Sequence, residues 1–207
     1  MKKIENINIV LENKVVFGDL FYNEKITNII EKGSKQKGVS TLISGFIDNH
    51  IHGSFGSDVM DSTILALTTI SKSLLKEGTT SYLPTTITNS ITNKSNALKN
   101  INDYYLNHNN YSKVLGIHLE GPFINPIKKG AQPLEYIIKP DFNLFKMWQN
   151  ESGNLIKKIS LAPEMENASE FIKALVSNGV VVSIAHSNVT IYIDEDAASL
   201  LNKKTKN

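Results

Sequence analysis

The sequence predicts an α/β protein whose larger part is an incomplete barrel of about five strands, with a small strand-rich part before it. From Thr41 onward, short apolar runs alternate with stretches in which apolar residues recur at helical spacing. Ionisable residues follow these runs where strands end, namely His50, His52, Glu120, Glu164 and His186. Because strand ends and the loops after them form the functional face of an α/β barrel, this distribution predicts one site on one face.

Residues 1–40 form the predicted strand-rich part, and residues 41–207 form the predicted barrel domain. Within residues 4–31, turn-like residues separate four β-prone pieces, which is typical of an antiparallel meander. The pieces are Ile7–Val10, Lys14–Phe17, Asp19–Tyr22 and Lys25–Ile29. Polar residues and glycines at 32–40 indicate a linker before the barrel.

Five strands and four helices are predicted in the barrel domain. The strands cover residues 42–47, 79–83, 114–119, 159–162 and 180–185, and the helices cover residues 62–76, 90–106, 141–150 and 167–177. In the second helix, apolar residues at helical spacing predict the buried face, namely Ile91, Leu98, Ile101 and Tyr105. Pro84 is expected to end the second strand, because proline lacks the N–H that a sheet needs. The long loop at 121–140 is predicted to be functional or mobile.

The amino-acid composition excludes several classes of protein. The 207 residues are 41% hydrophobic and 20% charged with a net charge of +2, which excludes an obviously disordered or nucleic-acid-dominated chain. Without cysteine, a transition metal must be held by His, Asp or Glu, and the composition suits a reducing cytoplasm. No apolar run reaches the roughly 18 residues of a membrane span, and no signal peptide is predicted.

Two histidines at the end of the first barrel strand, His50 and His52, are the first candidate metal ligands. The period of two places both rings on one face of the strand end. An imidazole pair there is what an open metal site in an α/β barrel needs, and the alternative is a pair of surface-loop histidines. His118 shares a strand face with Glu120 and is expected to have a structural role.

Blocks of characteristic residues occur in order along residues 40–190. They are Gly45–Gly53 with Asp58–Asp61, Thr79–Thr86, Leu115–Phe123, Lys129–Gln132, Leu161–Glu164 and Val182–Ser187. Together these blocks resemble the N-acetylglucosamine-6-phosphate deacetylases of the amidohydrolase superfamily. The resemblance implies a metal-dependent (β/α)8 TIM barrel, with about five strands present, beside a small β-sandwich. It also implies a hydrolase that removes acetate from N-acetylglucosamine 6-phosphate to give glucosamine 6-phosphate.

The same resemblance implies roles for individual residues. His50 and His52 are similar to the ligands of one metal ion, while Glu120 resembles a carboxylate that bridges two ions in two-metal members. His186 resembles a ligand of the second ion. Zn²⁺ or Fe²⁺ suits such ligands and lowers the pKa of bound water to about 7. Ala131 and Gln132 resemble residues that contact the sugar phosphate, and the family tends towards homodimers.

Each assignment has an alternative. Glu120 can cap a strand and neutralise Lys128 or Lys129, and His186 can be a core histidine with satisfied hydrogen bonds. Another amidohydrolase, acting on a cyclic amide or a nucleobase, would share the His-x-His pair without the Lys129–Gln132 block. A non-catalytic fragment that pairs with a separate C-terminal piece is the third hypothesis. No nucleic acid or membrane partner is expected.

Relative to a full-length deacetylase, the sequence is expected to be truncated at its C-terminus. The histidine that completes the second metal site and the aspartate that acts as general acid and base are expected to lie beyond residue 207, so no catalytic residue is predicted. Helical potential is expected in the tail from Ile191, with Asp194 and Asp196 outside the barrel. An open barrel leaves the fifth strand as an unpaired edge and exposes apolar residues such as Val181 and Ile184, which favours association or aggregation. Because the metal would also have one ligand fewer, little or no activity of the chain alone is expected.

Overall fold

The computed structural model describes residues 1–190. The chain divides into two compact units, Met1–Phe46 and a second unit that begins at Ile47. The sequence places this boundary at residue 40, whereas Thr41 and Leu42 pair with the first strand of the N-terminal sheet. The helix predicted after residue 190 lies outside the described residues.

The N-terminal unit is a four-stranded sheet. Its strands are β1 (Lys2–Val10), β2 (Val15–Tyr22), β3 (Ile26–Ser34) and β4 (Thr41–Leu42), in the order β3-β2-β1-β4. The two predicted pieces at 14–17 and 19–22 are one strand, because a register shift after Phe17 lets the chain continue through Gly18. Ile9, Val16 and Leu20 form its buried core. The predicted strand-rich part is confirmed, and within Met1–Phe46 it consists of this one sheet.

The second unit is built around the parallel sheet of the predicted barrel. Its strands are β5 (Phe46–Ile51), β6 (Gly53–Ser54), β7 (Ser57–Asp58), β8 (Thr79–Thr86), β9 (Lys113–Val114), β10 (Ile117–Glu120), β11 (Ile156–Leu161) and β12 (Val181–Ile184). The main sheet has the order β12-β11-β10-β8-β5, with β9 also paired to β8, and β6 and β7 form a separate hairpin. This is the half-barrel that the sequence predicts.

Four α-helices alternate with the strands. They are α1 (Ile64–Lys76), α2 (Ile91–Asn107), α3 (Phe142–Glu151) and α4 (Ala168–Ser177), and short 3₁₀ helices lie at Val59–Asp61, Pro126–Lys128 and Leu134–Tyr136. Side-chain oxygens of Thr63, Ser90 and Asp141 accept hydrogen bonds from the free backbone N–H groups at the starts of α1, α2 and α3. Such caps explain why these helices begin within two residues of their predicted starts. In the part of the chain that the structure describes, no helix is long and apolar enough to cross a membrane.

Several predicted strand boundaries are wrong. The third strand, predicted at 114–119, is divided into β9 and β10, and the fourth begins at Ile156 rather than at residue 159. The first barrel strand covers Phe46–Ile51 rather than 42–47, because residues 41 and 42 belong to the N-terminal sheet. The second strand continues through Pro84 to Thr86. Pro84 lies between the residues that pair with β9 and those that pair with β10, so its missing N–H breaks neither ladder.

The face of α2 that is buried also differs from the prediction. Ile91 and Tyr105 are 48% and 38% exposed, whereas Tyr104 is fully buried and donates a hydrogen bond to Ser71. The buried stripe is Lys94, Ser95, Ala97, Leu98, Ile101 and Tyr104. The stripe predicted from apolar residues alone was therefore misplaced at both ends, because a buried lysine occupies its first turn.

Candidate metal centre

The four predicted metal ligands lie at the carboxyl ends of three strands. His50 is the penultimate residue of β5 and His52 follows that strand, Glu120 is the last residue of β10, and His186 lies two residues after β12. In a parallel sheet these ends meet at one edge. The fold therefore brings together residues that are up to 136 positions apart (186 minus 50).

The carboxylate of Glu120 is the centre of this group. Its Oε2 atom lies 3.1 Å from Nε2 of His50 and 3.6 Å from Nε2 of His52, and these two nitrogens are 3.3 Å apart. The other oxygen, Oε1, lies 2.9 Å from Nε2 of His186. The Glu120 side chain is 4% exposed, so three imidazoles surround a nearly buried carboxylate.

Backbone carbonyls fix the orientation of two of these rings. Nδ1 of His52 lies 3.1 Å from the carbonyl oxygen of Thr85, and Nδ1 of His186 lies 2.9 Å from that of Lys128. Because a carbonyl only accepts, each Nδ1 carries the hydrogen and donates it. In the neutral ring, Nε2 then has a free lone pair directed at Glu120, which is the tautomer a metal ligand needs.

The geometry around Oε2 of Glu120 fits a divalent cation. This oxygen is buried and has no hydrogen-bond partner among the described residues, which is costly for a carboxylate. Three ligand atoms of a tetrahedral zinc ion at its usual bond lengths lie about 3.3 Å from one another. The three separations among His50, His52 and Glu120 are 3.1, 3.3 and 3.6 Å, so one ion would satisfy the orphaned oxygen without large movement.

The surroundings set the protonation of these groups. Burial would raise the pKa of Glu120, but the adjacent imidazoles of His52, His186 and His50 together lower it to about 2. Burial lowers the pKa of His50 more than the nearby Glu120 raises it. The adjacent carboxylate of Glu120 raises the pKa of His52 against burial. The group thus keeps an anion at neutral pH, which favours cation binding.

His118 lies beside the group but does not face Oε2 of Glu120. It is fully buried, with Nδ1 3.2 Å from the carbonyl oxygen of Asn49 and Nε2 2.7 Å from Oγ of Ser160. Burial, with the charge of Lys158, lowers its pKa to about 4, so the ring is neutral. Its ring packs edge-on against His50 at 4.8 Å between centroids. His118 therefore supports a candidate ligand, in agreement with the structural role predicted for it.

The two residues predicted to contact the substrate differ in their exposure to solvent. Ala131 is exposed, whereas Gln132 is 2% exposed and lies under Glu120. Nε2 of Gln132 donates to Oε1 of Glu120 over 2.6 Å, and its Oε1 accepts from the backbone N–H of Thr88 over 3.0 Å. Both ends of the amide are therefore engaged by buried groups.

Lys94 is a site residue that the sequence analysis missed. It is fully buried in the first turns of α2, and Nζ donates towards the carbonyl oxygens of Glu120 and Gly121 at 2.8 and 3.0 Å. Burial lowers its pKa to about 7, yet the surrounding oxygen acceptors favour the ammonium form with its three N–H groups. A charged residue within an apolar helical stripe is the sequence signal that could have revealed it.

Glu164 holds the segment that carries His186. Its carboxylate accepts from the backbone N–H of Asn188 and from the hydroxyl of Ser187, both at 2.7 Å, and from Nδ2 of Asn125 at 2.8 Å. Partial burial raises the pKa of Glu164, but these hydrogen bonds together lower it to about 2. Glu164 thus links the loop after β10 to the residues that follow His186.

An open cleft of about 490 Å³ lies beside the group. It is lined by His52 and by the β6–β7 hairpin and the turn after it, namely Gly53, Ser54, Gly56, Ser57, Asp58 and Asp61. A volume of this size is in the range of small-molecule sites.

The fold and the site define an α/β protein of the barrel type with a candidate metal centre at the carboxyl ends of its strands. The chain belongs to the amidohydrolase family, whose sequence profile matches residues 41–205. This confirms the family that the sequence motifs indicate.

Similar proteins within this family have names that are more specific than that of the family. The N-acetylglucosamine-6-phosphate deacetylase of Bacillus subtilis is 39% identical over 94% of this chain and 52% of its own length. The enzyme of that name from Lysinibacillus sphaericus is 42% identical over 77% of this chain and 41% of its own length. The crystal structure of N-acetylglucosamine-6-phosphate deacetylase from Thermotoga maritima superposes with a TM-score of 0.78 at 30% identity, covering 98% of this chain and 52% of that one. The chain therefore spans about half the length of these relatives.

Proposed function

We propose that this chain provides the metal-binding half of an N-acetylglucosamine-6-phosphate deacetylase, in which His50, His52 and Glu120 hold a divalent cation. The single observation that carries the proposal is the buried Oε2 of Glu120, which finds no hydrogen-bond partner within residues 1–190 and lies between two imidazole nitrogens. The similarity to deacetylases over most of the chain supports the substrate class.

The ligand set favours Zn²⁺ or Fe²⁺, because imidazole and carboxylate are ligands that both ions accept. When bound, such an ion supplies Lewis acidity to an amide carbonyl and water of lowered pKa. His186 faces the second oxygen of Glu120, and we assign it to a second ion that the carboxylate would bridge. Metal analysis of the purified chain, with His186→Ala as the comparison, distinguishes one ion from two.

The protein's own residues orient these groups. Thr85 and Lys128 hold the imidazole tautomers through their carbonyl oxygens, and Gln132 and Lys94 hold the side chain and the backbone of Glu120. The cleft beside His52, whose volume of about 490 Å³ is in the range of small-molecule sites, is the proposed place for the sugar phosphate. Ala131 is exposed, and we propose that its backbone contacts the sugar phosphate. A cytoplasmic location and a homodimer are part of the same proposal, and they fit a chain without cysteine and the family resemblance.

The test is acetate release from N-acetylglucosamine 6-phosphate by the purified chain, with and without added Zn²⁺ or Fe²⁺. We expect slow, metal-dependent release that a chelator removes and that His52→Ala abolishes. His108→Ala is the matched control, because His108 is exposed at the C-terminal end of α2. A metal-loaded chain that releases no acetate but hydrolyses a cyclic amide such as hydantoin would replace this proposal with the other amidohydrolase hypothesis.

A further inference from the structure

The strand ends that carry the candidate ligands extend beyond the backbone ladder that joins them. β8 and β10 pair through Thr85 with His118 and through Thr86 with Leu119, and no further pairing is formed between them. Glu120 and Gly121 lie past the last of these pairs. On its other side this strand end is held by β11, because Glu120 pairs with Ser160 and the N–H of Gly121 donates to the carbonyl of Ser160. Towards the end of β8, where Thr85 orients His52, the ladder supplies no such contact.

Lys94 supplies this contact. Its Nζ lies 2.8 Å from the carbonyl oxygen of Glu120 and 3.0 Å from that of Gly121, at the end of β10. On the other side it lies 3.2 Å from Oγ1 of Thr86 and 3.3 Å from the carbonyl oxygen of Ile87, at the end of β8. One ammonium group thus joins the two strand ends through four oxygen acceptors.

A buried lysine at this position is expected to destabilise the fold. Lys94 is fully buried, has no carboxylate of residues 1–190 within ion-pair distance, and lies near the N-terminus of α2, where the helix dipole disfavours a positive charge. An apolar residue would continue the buried stripe of α2 at lower cost. Residues that violate local preferences in this way mark functional sites more often than structural ones.

We propose that Lys94 is a positioning residue for the metal centre, which fixes the backbone of Glu120 so that its carboxylate faces His50 and His52. This inference rests on the proposed metal site but adds a residue that acts without touching the ion or the substrate. The ring of Trp148, with its centroid 5.6 Å from Nζ, closes the remaining side of the lysine head group.

The test compares metal binding in Lys94→Met, Lys94→Gln and the wild type, by competition with a chromophoric zinc chelator. Loss of an outer contact of a metal ligand typically weakens binding by about 10- to 100-fold, and this is the range expected for both variants. Lys99→Met is the matched control, because Lys99 lies on the same helix with an exposed side chain paired with Glu151. It should bind zinc as the wild type does.

A second measurement separates positioning of the ligand from general support of the fold. The visible absorption spectrum of bound Co²⁺ reports the geometry of its ligands, so it should change in the Lys94 variants and remain unchanged in Lys99→Met. Wild-type affinity and a wild-type Co²⁺ spectrum in Lys94→Gln would overturn the proposal. If the variants fold only when zinc is added, the zinc concentration at the folding midpoint gives the same comparison. Failure to fold at any zinc concentration would also overturn it, because the role would then be structural.

The outcome is independent of the assay for deacetylation. If the wild type binds metal but releases no acetate, the proposed function fails while the inference about Lys94 is still decided by the affinities. If the wild type releases acetate and the Lys94 variants retain full affinity, only the inference fails.

Discussion

Replacement of Gln132 by leucine tests whether its hydrogen bond to Glu120 stabilises the metal centre. The variant removes a 2.6 Å hydrogen bond to the charged Oε1 of Glu120 and leaves the buried N–H of Thr88 without its 3.0 Å acceptor. A hydrogen bond to a charged group contributes about 1.5–3 kcal/mol, and an unsatisfied buried N–H costs about 1–3 kcal/mol. We expect Gln132→Leu to lower the free energy of unfolding by about 3–5 kcal/mol, which a typical domain tolerates.

The metal affinity of Gln132→Leu should fall by about 10- to 100-fold, because Glu120 loses an outer hydrogen bond. Urea unfolding of the metal-free chain measures the first effect, and chelator competition measures the second. The matched control is Gln149→Leu, since Gln149 is hydrogen-bonded to the backbone N–H and carbonyl of Ile156, away from Glu120. It should lose stability but retain the metal affinity of the wild type.

Two results would refute this reasoning. If Gln149→Leu weakened zinc binding as much as Gln132→Leu, the effect would report lost stability and not the support of Glu120. If Gln132→Leu retained full zinc affinity but raised KM for the sugar phosphate, the substrate contact implied by the sequence resemblance would describe Gln132 better than its hydrogen bond to Glu120.

Three further predictions concern the surroundings of the site. Gly121→Ala should weaken zinc binding in the chelator assay, because Gly121 has a φ of +56° and an added Cβ would overlap Oγ1 of Thr88; unchanged affinity would show that the loop accommodates the methyl group. The wild type should have a higher free energy of unfolding than Glu164→Gln, and this difference should be fully present above pH 4.5, the usual pKa of glutamate, and disappear as the pH falls to about 2, the pKa in the folded protein. Urea unfolding measures the difference. A difference that does not depend on pH, or the same pH dependence in Glu166→Gln, would contradict this prediction. Leu67→Ala should lower the free energy of unfolding by about 2–5 kcal/mol, because Leu67 is fully buried in the core; a loss below about 1 kcal/mol would mean that the core closes around the cavity.

The site was more predictable than the boundaries of the elements that carry it. His50, His52, Glu120 and His186 stand out because ionisable residues follow apolar runs, and strand alternation places them at one edge without knowledge of exact strand ends. The prediction that these four side chains lie close together was right, although the predicted start of β5 was wrong by four residues. Their roles as ligands stay a prediction.

Lys94 and Gln132 show what the sequence could not reveal. Helical periodicity assigns buried positions by hydrophobicity, so a lysine within the stripe of α2 was passed over in favour of Ile91 and Tyr105. The side chain of Gln132 points to Glu120 because the loop after β10 folds back under the carboxylate, and no local pattern encodes such a return. Pro84 remains in its strand because the residues before it pair with β9 and the residues after it pair with β10. This pairing is also set by the tertiary structure and is not visible in the local sequence.

The central claim is that one divalent ion lies between two imidazoles and a buried carboxylate. Anomalous diffraction at the zinc absorption edge, from crystals of the chain grown with Zn²⁺, tests it most directly. We expect a peak about 2.0–2.2 Å from Nε2 of His50, Nε2 of His52 and Oε2 of Glu120. Zinc-saturated crystals with no peak among these three atoms would contradict it.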